Sequence, residues 1–202
     1  PMRVVPLLVV VAVLIYMFHQ RSKEKQWGAL VGMGMVALVS FVIFLPLFDY
    51  MLVYPDLFNY RAMTRLSGAE RALPGPVWQI FLYNLKNASM MFFWDNGNTW
   101  VHSVLYRPAL DFVTGALFFM GVIYVLYRYL TRRQWSDLFL LVSIPVLQLP
   151  SILSLAFPEE NPSLNRTGGA IVPVFIIVAI ALYGLLSRLN EHKTGKKLAW
   201  GM

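Results

Sequence analysis

One glycine-rich segment carries the side chains best suited to bind an anion. Arg166, Gly168 and Gly169 stand at the start of a long apolar run and follow two glutamates, Glu159 and Glu160. A guanidinium group and the free backbone amides of a helix N-terminus together suit a phosphate. The alternative is that Arg166 only extends to the membrane surface and pairs with one of the glutamates.

Asp95 is the best local candidate for acid–base chemistry. It lies in an aromatic-rich loop beside Trp94 and Trp100, and a carboxylate placed against a reacting hydroxyl can accept its proton. The alternative is structural, because Asp-Asn-Gly-Asn is above all a turn sequence. Asp111 directly precedes an apolar run, so it is predicted to cap a helix by accepting hydrogen bonds from the free amides.

The histidines are too dispersed to form a metal centre. His19, His102 and His192 fall in separate polar segments, so neither a zinc site nor a haem held between helices is predicted. The chain contains no cysteine, and it has no glycine-rich phosphate loop and no Ser/His/Asp triad. We therefore expect no cofactor and no metal.

Long apolar helices must position these residues. The composition is 58% hydrophobic and 13% charged, which is about half the charge of a soluble domain. Five apolar runs approach or exceed the roughly 20 residues that cross a bilayer. The sequence therefore predicts an all-α, polytopic membrane bundle with about five transmembrane helices and a mostly helical exterior loop region. The runs are Val4–Phe18, Gly28–Phe48, Phe112–Tyr127, Leu138–Phe157 and Ala170–Leu186.

Basic residues cluster on alternate sides of the runs. They concentrate in residues 19–26, in residues 128–135 and in the tail from Arg188. The positive-inside rule places all three segments in the cytoplasm and the N-terminus outside. Topology thus accounts for the net charge of +7, and no nucleic-acid partner is predicted.

The apolar runs contain no charged residue, which argues against an ion path through them. Gln148 is the notable polar residue at depth, and it stands between Pro145 and Pro150. Prolines free backbone carbonyls within a helix. We expect Gln148 either to tie a kinked helix to its neighbour or to contact a ligand.

These assignments divide the chain into four parts. Residues 1–48 hold two transmembrane helices and a basic loop, residues 112–187 hold three more, and residues 188–202 form a basic tail. Residues 49–111 form the one large hydrophilic region, placed outside by the charge rule, and a functional site is expected there. A short helix is predicted over Asp56–Ser67.

A clearer helix follows Pro76. Apolar residues recur at helical spacing from Val77 to Phe92, whereas Asn84, Lys86 and other polar residues take the opposite side. Such an amphipathic helix either lies flat in the headgroup layer or packs on the membrane helices of its own chain. The sequence leaves both alternatives open.

Several separated blocks resemble a known enzyme family. The segment Asn161–Val174, with Arg166, Gly169 and Pro173, is similar to the last exterior loop and following helix of bacterial protein-mannosyltransferase-like membrane glycosyltransferases of the GT-C fold. The likeness covers about half of the chain because further blocks keep the family's order. These blocks are Asn84–Phe92, Trp100, His102 and Arg107–Phe118.

This resemblance implies transfer of a sugar from a polyprenyl phosphate to a hydroxyl group at the outer face of a bacterial inner membrane. It implies that Arg166, Gly168, Gly169 and Arg107 contact the phosphate of the lipid carrier. The family's catalytic acid lies between helices that this chain does not contain. The chain is therefore expected to be the C-terminal portion of a longer enzyme, inactive without its upstream transmembrane segments.

The alternative is a non-catalytic membrane subunit that stabilises a larger complex, for example a respiratory or photosynthetic one. Its partners would be membrane lipids and other membrane subunits. Small residues allow close contact between helices, within the chain or with a partner. The candidates are Gly28, Gly32, Gly34, Gly115 and Gly121.

Overall fold

The fold is known from a computed structural model that describes residues 4–58, 60, 71–101 and 103–191. Regular secondary structure in these residues is entirely helical, which confirms the all-α prediction. Two short 3₁₀ turns, Pro158–Glu160 and Gly168–Ala170, complete the helices. The helices are α1 (Val5–His19), α2 (Lys23–Val53), α3 (Val77–Met90), α4 (Phe112–Arg132), α5 (Trp135–Ile152), α6 (Leu164–Thr167) and α7 (Ile171–Glu191).

Among the described residues, four helical segments are long and apolar enough to cross a membrane. They are α2, α4, α5 and the continuous stretch Leu164–Asn190, which contains α6 and all but the last residue of α7. This confirms the prediction of a membrane protein built from transmembrane helices. The first of the five predicted spans is different, because α1 is apolar but has only 15 residues, short of the roughly 20 that a crossing needs.

Three predictions fall outside the described residues. They concern most of the helix expected over Asp56–Ser67, the position of His102, and the basic tail beyond residue 191 with His192. The structure therefore leaves them as predictions from the sequence.

The bundle is held together by α4, α5 and α7. Helices α4 and α7 pack side by side, and α5 packs against both. Only two residues join α4 to α5, so these two helices run in opposite directions. Helix α7 runs in the same direction as α4, because Gly169 just before it packs on Leu147 in the second half of α5. Gly121 lets α4 and α7 approach closely, since a Cβ atom there would lie 2.6 Å from Ile177 Cγ2. The buried core formed by these helices and the turn after α3 includes Met91, Phe92, Phe118, Val125, Leu147, Val174 and Ile177.

The loops after α1 and after α4 lie at the same end of the bundle. His19 Nε2 is 3.2 Å from the hydroxyl oxygen of Tyr129, and the rings of Tyr16 and Trp135 pack edge to face at 5.5 Å. This matches the prediction that the first two basic segments share one side. We call this end, which carries Arg21, Lys23, Arg128, Arg132, Arg133 and Arg188, the basic end, and the opposite end the loop end.

The loop predicted over residues 128–135 is shorter than expected. Helix α4 continues to Arg132, so only Arg133 and Gln134 separate it from α5. The reason is an ion pair: Arg128 Nε and Nη2 donate to the Asp137 carboxylate at 2.8 and 2.5 Å. Asp137 is 0% exposed, so the helices include charged residues just beyond the uncharged apolar runs.

The buried face of α3 differs from the prediction. Ile80, Asn84 and Ala88 face the bundle and are buried, whereas Trp78 and Leu82 are exposed. The expectation that Asn84 lies on the polar side was wrong, because its side-chain amide makes a buried hydrogen bond to the carbonyl oxygen of Ile152. Helix α3 packs on α5, so of the two alternatives the structure shows packing on the chain's own helices.

Two helix boundaries at the loop end also differ from the prediction. Helix α5 ends at Ile152 rather than at residue 157. At this end, Asn84 Nδ2 donates to the carbonyl oxygen of Ile152 at 2.9 Å. The last helical stretch begins at Leu164 rather than at Ala170. At the end of α5, the Asn84 side chain thus takes the place of a missing backbone partner.

Helix α2 stands apart from the bundle. None of its residues is buried, and its main contact is with α1. A Cβ atom added at Gly28, Gly32 or Gly34 would meet nothing within 4 Å. In the described part of the chain, the small residues of α2 therefore make no close helix contact, unlike Gly121.

Asp111 caps α4, as predicted. Its Oδ1 accepts hydrogen bonds from the amides of Val113 and Thr114, each at 3.0 Å, and its Oδ2 accepts the Thr114 hydroxyl at 2.5 Å. The Thr114 hydroxyl is the main cause of a lowered pKa for Asp111, and the Thr114 amide adds to it. Because the pKa is lower when folded, the cap stabilises α4 above the ordinary carboxyl pKa and is lost as pH falls through the folded value.

Replacing Thr114 with valine is expected to raise the pKa of Asp111 toward its ordinary value, because the hydroxyl donor is removed. A pH titration of the aspartate side-chain carbons by NMR in detergent micelles measures the change. Thr131→Val is the matched control, since the Thr131 hydroxyl donates to carbonyl oxygens at the other end of α4. An unchanged Asp111 titration in Thr114→Val would contradict the assignment.

Candidate functional site

Arg166 makes two contacts at the loop end. Its Nη1 donates to the Ser154 hydroxyl at 2.9 Å, and its Nη2 forms an ion pair with Glu160. The pairing with a neighbouring glutamate, foreseen as the alternative, is therefore present. The role of Arg166 in binding phosphate stays a prediction from the sequence.

Gly168 and Gly169 lie within a continuous helical stretch rather than at its free N-terminus. The stretch begins at Leu164, and the Ser163 carbonyl already accepts the amides of Arg166 and Thr167 at 3.0 Å. Gly169 packs against α5, where a Cβ atom would lie 3.2 Å from Leu147 Cδ2. The glycines thus differ from the predicted corner of free amides, because the helix starts one turn earlier.

A buried polar network fixes the loop end. The Ser151 hydroxyl donates to Asn161 Oδ1 at 2.5 Å and accepts the amide of Ser163 at 3.1 Å. Asn161 Nδ2 in turn donates to the carbonyl oxygen of Asn84 at 2.8 Å. Together with the bond from Asn84 to Ile152, these contacts tie α3, the end of α5 and the following loop into one unit.

Gln148 belongs to the same attachment of α3 to α5. Its Nε2 donates to the carbonyl oxygen of Ala88 at 2.7 Å, and the contact is buried. Pro145 and Pro150 lie within α5 on either side of it. Of the two sequence-based alternatives, the link to a neighbouring helix is the one observed.

Asp95 begins a closed loop. Its Oδ1 accepts the amide of Gly97 at 2.8 Å, and Gly97 adopts a positive φ of 98°, a conformation that glycine adopts without strain. The backbone amide of Asn96 donates to the carbonyl oxygen of Arg107 at 2.9 Å, and this hydrogen bond joins the two ends of the loop. The turn foreseen from the sequence is present, and it holds the Asp95 carboxylate in place.

Asp95 also lines a cleft of about 530 Å³ at the loop end, which we call the polar cleft. Its wall combines charged groups, Lys86, Asp95 and Glu159, with exposed aromatic rings. Glu159 is held by an ion pair with Arg71. The rings are those of Tyr83, Trp94 and Tyr106. Carboxylates, an ammonium group and flat apolar rings together suit a hydroxyl-rich ligand such as a sugar.

Arg107 lines a second cleft of about 550 Å³. The cleft lies between the turn after α3 and the start of α4, and Arg107 and Asp111 stand on its polar side. An adjoining cavity of about 340 Å³ extends along α4 toward Pro145 and Gln148. We call the two together the phenylalanine groove, because both are lined by Phe92, Phe93 and Phe119.

The predicted site residues therefore separate into two groups. Asp95 and Arg107 lie at the two ends of one loop, which a backbone hydrogen bond joins. Asp95 lines the polar cleft and Arg107 lines the phenylalanine groove. Within the described residues, Arg166, Gly168 and Gly169 line neither the polar cleft nor the phenylalanine groove. The phenylalanine groove was missed from the sequence, although the pairs Phe92–Phe93 and Phe118–Phe119 were an available signal.

Comparison with known proteins finds no relative of the chain. No protein-family model, no curated protein and no solved structure matches the chain. Among the described residues, no group of histidine and acidic side chains could hold a metal ion. The site is therefore characterised by its own geometry, as a polar cleft and an apolar groove that meet at the loop from Asp95 to Arg107.

Proposed function

We propose that this chain is the membrane portion of a glycosyltransferase that uses a sugar carried on a polyprenyl phosphate. The observation that carries the proposal is the position of Arg107 on the phenylalanine groove. A polyprenyl phosphate needs a long apolar channel for its tail and a cation for its phosphate at the membrane surface. The groove and Arg107 provide this combination.

The lining of the phenylalanine groove suits a lipid tail. The lining is mostly aromatic and aliphatic, so a tail inside the bilayer gains van der Waals contacts there. The phosphate would gain a charge-assisted hydrogen bond from the Arg107 guanidinium. The sugar would then extend into the polar cleft, since the bond between Asn96 and Arg107 places the two clefts on one loop.

The proposal includes an orientation. The basic end would face the cytoplasm of a bacterium and the loop end the exterior of its inner membrane, with the N-terminus outside and the C-terminus inside. The transferred sugar would then reach a hydroxyl group on the outer face. The catalytic acid would come from upstream transmembrane segments, so this chain alone would bind the donor without turning it over.

Arg107→Ala is expected to weaken binding of a polyprenyl phosphate by about tenfold, because a hydrogen bond to a charged group is lost. Native mass spectrometry of the purified chain, titrated with undecaprenyl phosphate in detergent, measures the affinity. Arg133→Ala is the control, since Arg133 is exposed at the basic end and should bind as the unmodified chain does. Equal affinity of Arg107→Ala and the unmodified chain would contradict the proposal.

A specific observation favours the second candidate, a non-catalytic subunit of a larger membrane complex. Helix α2 has 31 residues and a long apolar run, yet none of its residues is buried against the described chain. A helix of this kind offers its whole surface to lipid or to partner subunits. Loss of carrier specificity in the titration, with undecaprenyl phosphate bound no better than an ordinary lipid, would favour this candidate.

A further inference from the structure

A separate groove of about 410 Å³ lies between α4 and α7, near the basic end. It is distinct from the two clefts at the loop end and shares no lining residue with them. We call it the α4–α7 groove. Its lining changes in character along the helices, from aliphatic residues to hydroxyl groups and a guanidinium.

The deeper part of the α4–α7 groove is apolar and open. Ile176, Ala179 and Ile180 line it along α7. At Gly184 an added Cβ atom would meet nothing within 4 Å, so the missing side chain leaves a space that the protein itself does not fill. The aliphatic lining of this space suits an acyl chain.

The end of the groove is cationic. Arg128 lines it and lies over the ring of Tyr124, with 5.7 Å between the guanidinium carbon and the ring centroid. Asp137 accepts two N–H groups of Arg128, whereas a guanidinium has five. The side chain of Arg128 is 22% exposed, so further N–H groups can reach an anion.

The next helical turn adds positive charge. Arg132 lies one turn beyond Arg128 on α4, and Arg188 lies one turn beyond Gly184 on α7. Both are exposed. Because α4 and α7 run in the same direction, these arginines flank the mouth of the groove. The ion pair of Arg128 with Asp137 is neutral overall, so the exposed Arg132 adds positive charge beside it.

We propose that the α4–α7 groove binds an anionic phospholipid of the adjacent leaflet. One acyl chain occupies the space at Gly184, and the phosphate contacts Arg128 between Arg132 and Arg188. Basic pockets between transmembrane helices are a general means of binding such headgroups. A free phosphate would leave the apolar part of the groove empty, which is why a lipid is the better occupant. The inference is independent of the proposed sugar transfer.

Filling the groove tests the apolar part of the proposal. Gly184→Leu is expected to weaken binding of phosphatidylglycerol by at least about tenfold, because the leucine side chain takes the place of the acyl chain. Native mass spectrometry of the full chain in detergent, titrated with phosphatidylglycerol, measures this. Gly34→Leu is the matched control, since Gly34 also lies in open space but on α2, and it should bind like the unmodified chain.

Removing the flanking charge tests the other part and does not depend on how Gly184→Leu folds. The double variant Arg132→Gln, Arg188→Gln is expected to lose about tenfold or more in affinity for phosphatidylglycerol, given the contribution of each cation near an anionic headgroup. Binding of phosphatidylcholine should change less. Equal binding of the two lipids by the unmodified chain, or unaltered phosphatidylglycerol binding in both variants, would overturn the inference.

Discussion

Replacing Arg128 with alanine is expected to destabilise the bundle by about 3–5 kcal/mol, because it leaves a buried carboxylate without its partner. Asp137 is 0% exposed, and Arg128 donates two hydrogen bonds to it, at 2.8 and 2.5 Å. No compensating water is readily gained at a fully buried position. Equilibrium unfolding in mixed detergent micelles, followed by circular dichroism, measures the loss.

Two variants separate the ion pair from a general effect of removing charge. Arg132→Ala, one turn further along α4 and exposed, should change stability by no more than about 0.5 kcal/mol. The double variant Arg128→Met, Asp137→Leu removes both charges together, so it should recover most of the loss. If Arg128→Ala proved as stable as Arg132→Ala, the buried pair would not be what joins α4 to α5.

Gly121→Ala is expected to cost about 1–3 kcal/mol, because overpacking forces helices apart. The added Cβ atom would lie 2.6 Å from Ile177 Cγ2 and 2.7 Å from the Ile177 carbonyl oxygen. The second contact is with backbone, which a change of rotamer cannot relieve. Helix α7 must therefore move away from α4. The same unfolding measurement in detergent gives the cost.

Gly115→Ala is the matched control for this variant. Gly115 lies on the same helix, but its nearest neighbour to an added Cβ atom is the Phe92 carbonyl oxygen at 3.9 Å, an ordinary contact. Alanine also has the better helix propensity. Gly115→Ala should therefore be neutral or slightly stabilising, and an equal loss in both variants would contradict the close approach at Gly121.

The transmembrane helices could be predicted because their cause is local. An uninterrupted apolar run of about 20 residues is stable only across a bilayer, and the runs beginning at Gly28 and Phe112 both became helices of spanning length. The cap at Asp111 followed from the same local chemistry. The run at Val4 forms a helix of only 15 residues, because composition alone does not determine the length of a helix.

The helix ends and the face of α3 could not be predicted, because distant residues determine them. Asn84 resembles a solvent-facing residue by spacing, yet it is buried where it meets the carbonyl oxygen of Ile152, 68 positions along the chain. Arg128 resembles a loop residue, yet it remains helical beside Asp137. Amphipathic patterns distinguish polar from apolar positions, but they do not reveal a polar partner inside the bundle.

The candidate site was predictable in part for the same reason. Asp95 stood out by residue type and Arg107 through the family resemblance, and the turn at Asp95 followed from its Asp-Asn-Gly-Asn sequence. The phenylalanine groove requires Phe92, Phe119 and Pro145 to converge from three parts of the chain. No local pattern contains that convergence, so only the fold reveals it.

The buried network at Asn84, Ser151 and Asn161 has a consequence for ligand entry. Asn161 also lines the polar cleft, so widening the cleft would break several enclosed hydrogen bonds at once, and each stranded group costs about 1–3 kcal/mol. This wall of the cleft is therefore rigid before anything binds. Binding of a ligand therefore does not require the entropy cost of ordering this wall, and the fixed wall selects ligands by their shape.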